Sequence, residues 1–257
     1  MNARQNYGSS VNQVPASLYP VSTGGTIDGN GRLELFRGDA TNFDSTDFIL
    51  VTQKSEETES FGEDSEGIFI AFDLFFRTTN NKELYLSNNS EVTYLGEESV
   101  GIENATRVAF LDEGTATDSS GAAQSLRGAT DAIIWEPNYD THTEFGVLNA
   151  RNVYGITTSQ TGGALLPYDG VTSEIGSGDG VLIQNANSTN YPNYFRRVNV
   201  DISTPRNNGT NQKILDLEPS ITKIRIYMWL EGQDVDCEDN ASYGDISFRL
   251  EFTTNPA

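Results

Sequence analysis

Two neighbouring stretches, Lys223-Ile-Arg-Ile-Tyr-Met-Trp-Leu-Glu231 and Asp245-Ile-Ser-Phe-Arg-Leu-Glu-Phe252, decide the fold. In the first, Ile224, Ile226, Met228 and Leu230 fall on one face, and Lys223, Arg225, Tyr227, Trp229 and Glu231 on the other. In the second, Ile246, Phe248, Leu250 and Phe252 alternate with Ser247, Arg249 and Glu251. Successive side chains of an extended chain point to opposite faces, so this period of two predicts half-buried strands. The connection Gly232 to Gly244 is rich in acids, amides and glycine. The two strands are therefore expected to pair, or to lie in facing sheets, with a long acidic loop between them.

Working outward, Phe195 to Ser203 alternates in the same way, burying Val198, Val200 and Ile202. Gly67 to Arg77 is apolar on both faces, which predicts a strand covered on both sides at the centre of the core. Shorter strand candidates are Arg32–Arg37, Phe48–Thr52, Glu83–Leu86, Glu91–Leu95, Ala105–Asp112, Ala132–Glu136, Val147–Ile156 and Val181–Gln184. Gly, Asn, Thr and Ser fill the connections, and no long stretch carries apolar residues at helical spacing. The expected fold is all-β: a two-sheet antiparallel sandwich, jelly-roll-like, of about ten to twelve strands. It occupies residues 23–257 as one domain, with Thr157 to Gly180 read as a long loop. Residues 1–22 are too polar to bury much apolar surface alone and predict an extended N-terminal arm. That arm lies either on its own domain or on a neighbour.

Composition narrows the functional classes. The 257 residues carry 16 Lys and Arg against 37 Asp and Glu, a formal charge of −21. Such a field repels phosphate backbones and anionic lipid, so nucleic acid is not an expected partner. No apolar run approaches the eighteen or so residues of a membrane-spanning helix. Cys237 is the one cysteine, which excludes an internal disulfide framework. The N-terminus shows no basic stretch followed by an apolar one. Either the protein is made without a signal peptide, as a virion protein would be, or the sequence begins after the cleavage point.

Residues able to do chemistry are few. Asp234, Asp236, Glu238 and Asp239 are close enough for their carboxylates to converge on a hard cation such as calcium. The helix-loop-helix calcium pattern fails there for want of its closing glutamate, and a solvated loop is the plain alternative. Asp39, Asp44 and Asp47 form a similar group. His142 is the one histidine, and neither a second histidine nor a cysteine stands near it in sequence to complete a metal set. No nucleophile elbow accompanies it, so no enzyme is expected. Tyr191, Tyr227 and Trp229 offer rings on which a sugar could stack, unless a second sheet, an arm or a neighbour covers them. Sequons at Asn88, Asn104, Asn187, Asn208 and Asn240 are of the number that so Asn- and Thr-rich a chain produces by chance.

The run Ile226-Tyr-Met-Trp-Leu-Glu-Gly-Gln-Asp-Val-Asp-Cys237, with Gly244-Asp-Ile-Ser-Phe-Arg-Leu-Glu-Phe252, resembles the C-terminal strand, acidic loop and last strand of exported β proteins of Gram-positive bacteria. Ile102-Glu-Asn-Ala-Thr-Arg-Val-Ala-Phe110 and Ile134-Trp-Glu-Pro-Asn138 extend the resemblance to about a quarter of the chain. It implies a surface or fibre-forming β-sandwich similar to the camelysin/TasA-like biofilm fibre proteins, in which an N-terminal strand completes a neighbour's sheet. The expected function is thus a non-enzymatic structural protein, extracellular, at the cell surface or in a virion. It would form a homo-oligomer or homopolymer through an arm bearing Val11, Val14, Leu18 and Tyr19. The alternative is a carbohydrate- or receptor-binding module with glycan partners and calcium as its cofactor.

Overall fold

The structure, a computed structural model, describes residues 18–38, 48–50, 69–117, 121–138, 141–146, 148, 160–161, 164–165, 200–203, 209–232, 234, 236–237 and 244–256. Its strands in chain order are β1 (Phe36–Gly38), β2 (Phe48–Leu50), β3 (Ile70–Arg77), β4 (Lys82–Leu86), β5 (Glu91–Tyr94), β6 (Thr106–Ala116) and β7 (Ile133–Glu136). Then come β8 (Gln160–Thr161), β9 (Ala164–Leu165), β10 (Ile202–Ser203), β11 (Gln212–Leu217), β12 (Ile221–Leu230), β13 (Ile246–Arg249) and β14 (Phe252–Thr253). One helical turn, α1 (Gly121–Gln124), joins β6 to β7. The all-β expectation holds. The strand candidates Val147–Ile156, apart from Leu148, which is helical, and Val181–Gln184 and most of Phe195–Ser203 lie outside the described residues.

The main sheet has five strands in the order β10-β7-β6-β12-β3. Its pairings are antiparallel except at β10, which runs parallel to β7. Strand β12 is central: Ile226 pairs with Phe110 of β6 on one side and with Phe72 of β3 on the other. The second quoted stretch breaks in two. Strand β13 pairs with β5 and β14 with β4, so neither pairs with β12. They face it instead. Ile224, Ile226, Met228, Val108, Phe110 and Trp135 pack with Leu84, Leu86, Ile214, Leu217, Phe248, Leu250 and Phe252 in one apolar layer. Within it the Phe252 ring sits edge-on to Phe76 and Phe110, the favoured contact of two ring quadrupoles.

The opposite face of β12 corrects the sequence reading. Every residue of β12 is buried, polar ones included. Val21, Leu33, Leu35 and Ala129 cover Tyr227 and Trp229, together with Ala109, Leu111 and Ile134 of the same sheet face. The charged side chains there are tolerated because each has partners. Lys223 Nζ donates to the carbonyls of Gln124 and Leu126 at 3.0 Å each and meets Asp73 Oδ2 at 3.0 Å. Arg225 Nη1 donates to Asp73 Oδ1 at 2.8 Å, and its guanidinium lies 5.6 Å from the Tyr227 ring centre. Ion pairing thus lets alternating polarity pass through a doubly covered strand. Strand β3, expected at the centre, is the sheet's edge among the described residues, and its residues up to Phe76 are half-buried.

Leu18 to Ser22, expected to belong to the arm, lie on the domain itself. Val21 is 2 % exposed and forms a parallel bridge with Glu231, giving its N–H to Leu230 O and accepting from Gly232 N. Leu18 packs against Ile102, Ala105 and Leu230 of its own chain, so it cannot at the same time seat in a neighbour's pocket. Tyr19 is exposed, and Val11 and Val14 lie outside the described residues.

Candidate functional site

Antiparallel pairing brings the start of β6 and the ends of β7 and β12 to one rim of the main sheet. Three charged residues sit there on strand ends: Arg107, Glu136 and Glu231, none exposed by more than 0 %. The turn after β12 adds Asp234 and Asp236, and the connection after β7 adds His142 and Thr143. A buried polar cluster results, built from segments far apart in sequence.

Arg107 is its hub. Nη1 donates to the carbonyls of Asn104 at 3.0 Å and Thr106 at 2.9 Å. Nη2 donates to Asp234 Oδ2 at 2.7 Å and is in ion-pair contact with Glu136 Oε1 at 2.7 Å. Burial alone would lower the guanidinium's proton affinity, but the charges of Glu136, Asp234 and Glu231 outweigh it and raise its pKa, so Arg107 stays charged. Glu231 in turn accepts from the Trp229 indole at 3.2 Å.

Asp236 is the second centre. Its Oδ1 accepts from Thr143 N at 2.9 Å and Thr143 Oγ1 at 2.6 Å. Its Oδ2 accepts from Asn104 Nδ2 at 3.0 Å and faces His142 Nδ1 at 3.1 Å. Asp234 Oδ1 accepts from Asp236 N at 2.9 Å and stands 4.0 Å from His142 Nδ1. Burial pushes the Asp234 carboxyl up, against the opposing pull of Arg107 and His142. Burial pulls His142 down, but the Asp236 hydrogen bond and the charges of Asp234, Asp236 and Glu136 leave it raised overall. Gly101 closes the cluster from outside. At φ +94° it adopts a left-handed conformation, and a Cβ there would lie 2.6 Å from Thr143 Cγ2 and 3.1 Å from the Asp236 carboxyl carbon.

Of the four acids expected to meet at a cation, Asp234 and Asp236 are together here, and Glu238 and Asp239 lie outside the described residues. His142, which has no second histidine or cysteine near it in sequence, has these two carboxylates as neighbours instead. Sequence reasoning misses Arg107, Asn104 and Glu136 as site residues. The signal for two of them is present, because a charge inside an apolar strand run, as in Thr106-Arg-Val-Ala-Phe-Leu111 or Ile133-Ile-Trp-Glu136, needs a buried counter-charge. The stacking platform is corrected. Tyr227 and Trp229 are 0 % exposed beneath the Val21–Leu35 segment and cannot meet a sugar, while Tyr191 lies outside the described residues. Of the sequons, Asn104 is 2 % exposed and inside the cluster, Asn88 is exposed, and Asn187, Asn208 and Asn240 lie outside the described residues. The Asp39, Asp44 and Asp47 group lies outside them too. No helix among the described residues is long and apolar enough to cross a membrane. No protein-family model, curated protein or solved structure matches this chain.

Proposed function

We propose that this chain is a non-enzymatic structural protein, a two-sheet β-sandwich of jelly-roll type that assembles with copies of itself outside the cell or in a virion. The observation that carries this reading is the outer edge of β3. Over eight residues it pairs with no strand among the described residues, and Ala71 and Phe75 flank the core-facing Ile70, Phe72, Leu74 and Phe76. A long edge whose charges are Asp73 and the terminal Arg77 offers a row of backbone donors and acceptors to an incoming strand. The only acid on it, Asp73, is held by Lys223 and Arg225.

The donor is the segment before Leu18, carrying Val11 and Val14. Its starting point is suitable. Glu231 gives its N–H to Ala105 beside β6, so Val21, bonded to Leu230 O and Gly232 N, occupies the other edge of β12, the edge β3 also uses. Val21 thus lies on the same side of β12 as β3. Assembly of this kind accords with the fibre-forming proteins that the C-terminal motifs resemble. Glycan binding through Tyr227 and Trp229 has no such support, since both rings are buried.

Removing residues 1–17, and no more, tests the proposal, because Leu18 and Val21 belong to the domain's own packing. By light scattering and negative-stain microscopy the full chain forms oligomers that grow with concentration. The truncated chain stays folded and monomeric, and a peptide of residues 1–17 added in excess shortens the assemblies. Assembly of the truncated chain with unchanged concentration dependence overturns the reading.

A further inference from the structure

We propose that His142, Asp234, Asp236 and Asn104 form a binding site for one divalent transition ion, of the zinc or manganese class, which ties together three chain segments at the rim of the main sheet. One atom each from His142, Asp234 and Asp236 lies within 4.8 Å of the others. Metal–ligand distances of about 2.0–2.2 Å put the ligand atoms of a tetrahedral site about 3.3–3.6 Å apart. The observed separations from His142 Nδ1, 3.1 Å to Asp236 Oδ2 and 4.0 Å to Asp234 Oδ1, bracket that spacing.

Asn104 supplies an independent observation. It is 2 % exposed, and its Nδ2 touches Asp236 Oδ2 at 3.0 Å, yet Oδ1 of the same amide is buried with no hydrogen-bond partner. A buried amide oxygen left so is costly, and a half-turn of the amide exchanges Oδ1 for Nδ2 beside Asp236, where a bound cation satisfies it and gains a fourth ligand. Charge argues the same way. Four carboxylates, those of Asp234, Asp236, Glu136 and Glu231, gather around the Arg107 guanidinium and the His142 ring. A dication held by those carboxylates offsets negative charge that one guanidinium leaves unbalanced. Arg107 holds Asp234 by Oδ2, which leaves Oδ1 turned to His142, and Thr143 holds Asp236 by Oδ1, which leaves Oδ2 turned inward. Such outer contacts orient ligands.

The ligand set selects the metal. Calcium takes six to eight oxygens, whereas a ring nitrogen with three oxygens suits zinc or manganese. The calcium expected from the acidic loop is therefore replaced by a transition ion, and the histidine is the reason.

The test uses the full chain, stripped with chelator and dialysed, titrated with zinc, manganese or calcium chloride alone. Calorimetry is expected to give one tight site for zinc or manganese and none of comparable affinity for calcium. Cobalt should produce the visible absorption of a four-coordinate N/O site. His142→Gln is expected to weaken that site by about 100-fold or more, as ligand loss exceeds the 10–100-fold effect of outer-shell changes. Circular dichroism checks that the variant folds. Should it not fold, cobalt absorption and stoichiometry of the unaltered chain decide. Zinc binding unchanged in folded His142→Gln, calcium bound as tightly as zinc, or no stoichiometric site at all overturns the proposal.

Discussion

Replacing Arg107 by methionine keeps most of the side chain's apolar length but deletes its guanidinium, and the contacts around that group fix the cost. Two backbone carbonyls, those of Asn104 and Thr106, lose donors at 3.0 and 2.9 Å. Two carboxylates, Asp234 and Glu136, lose a cation 2.7 Å away in a place with no exposure to water. Each lost bond to a charged donor is worth about 1.5–3 kcal/mol, but buried carboxylates relieve part of the cost by taking up protons. The net loss is about 3–5 kcal/mol, the usual result of orphaning one partner of a buried pair. With a urea slope of about 2 kcal/mol/M, the unfolding midpoint falls by about 2 M. Urea titrations followed by tryptophan fluorescence, in chelator so that no cation contributes, measure it. Neutralising the stranded acids in the triple variant Arg107→Met, Asp234→Asn, Glu136→Gln should recover a large part of the loss, since interacting sites are not additive. A single-variant loss below about 1 kcal/mol, or a triple variant no better than the single, refutes the hub role assigned to Arg107.

Two further perturbations probe the neighbourhood. Gly101→Ala meets both a left-handed backbone and a Cβ 2.6 Å from Thr143 Cγ2, and should cost about 2–4 kcal/mol. Gly114→Ala shares the positive φ, but its nearest neighbour is Leu126 Cδ2 at 3.9 Å, so it should cost about 1–2 kcal/mol; equal losses in urea titrations would remove the close approach from the account. Glu113 is 1 % exposed, its Oε1 has no hydrogen-bond partner, and burial holds its carboxyl above the ordinary glutamate range, against Ala129 N–H, Lys223, Arg127 and Arg225. The native state therefore binds this proton more tightly than the unfolded chain does. Its stability contribution is present below the unfolded pKa and is lost as pH rises through the folded one. Glu113→Gln should accordingly gain on the parent as pH rises from the ordinary glutamate range towards neutrality, read from paired urea midpoints, and a constant difference would contradict the assignment.

Local alternation in Lys223–Glu231 and Asp245–Phe252 is enough to predict strands, because the side-chain period of an extended backbone is a property of the chain itself. Strong negative charge, the lone cysteine and the missing helical periodicity are equally plain in the amino acids. Partnership is not. Whether Tyr227 and Trp229 meet water depends on Val21, Leu33 and Leu35, about two hundred positions away, and no periodicity encodes which segment covers a face. For the same reason the apolar stretch ending at Arg77 lies at an edge while the amphipathic one becomes the doubly covered centre. Lys223 and Arg225 can enter the interior only because Asp73 and two carbonyls beside α1 wait there. The candidate metal set repeats the lesson. Asp234 and Asp236 are visible as neighbours in sequence, whereas His142, Asn104 and Arg107 join them only through antiparallel pairing that carries three strand ends to one rim. Ionic and coordination energies depend on distances of a few ångströms, and those are set by tertiary packing.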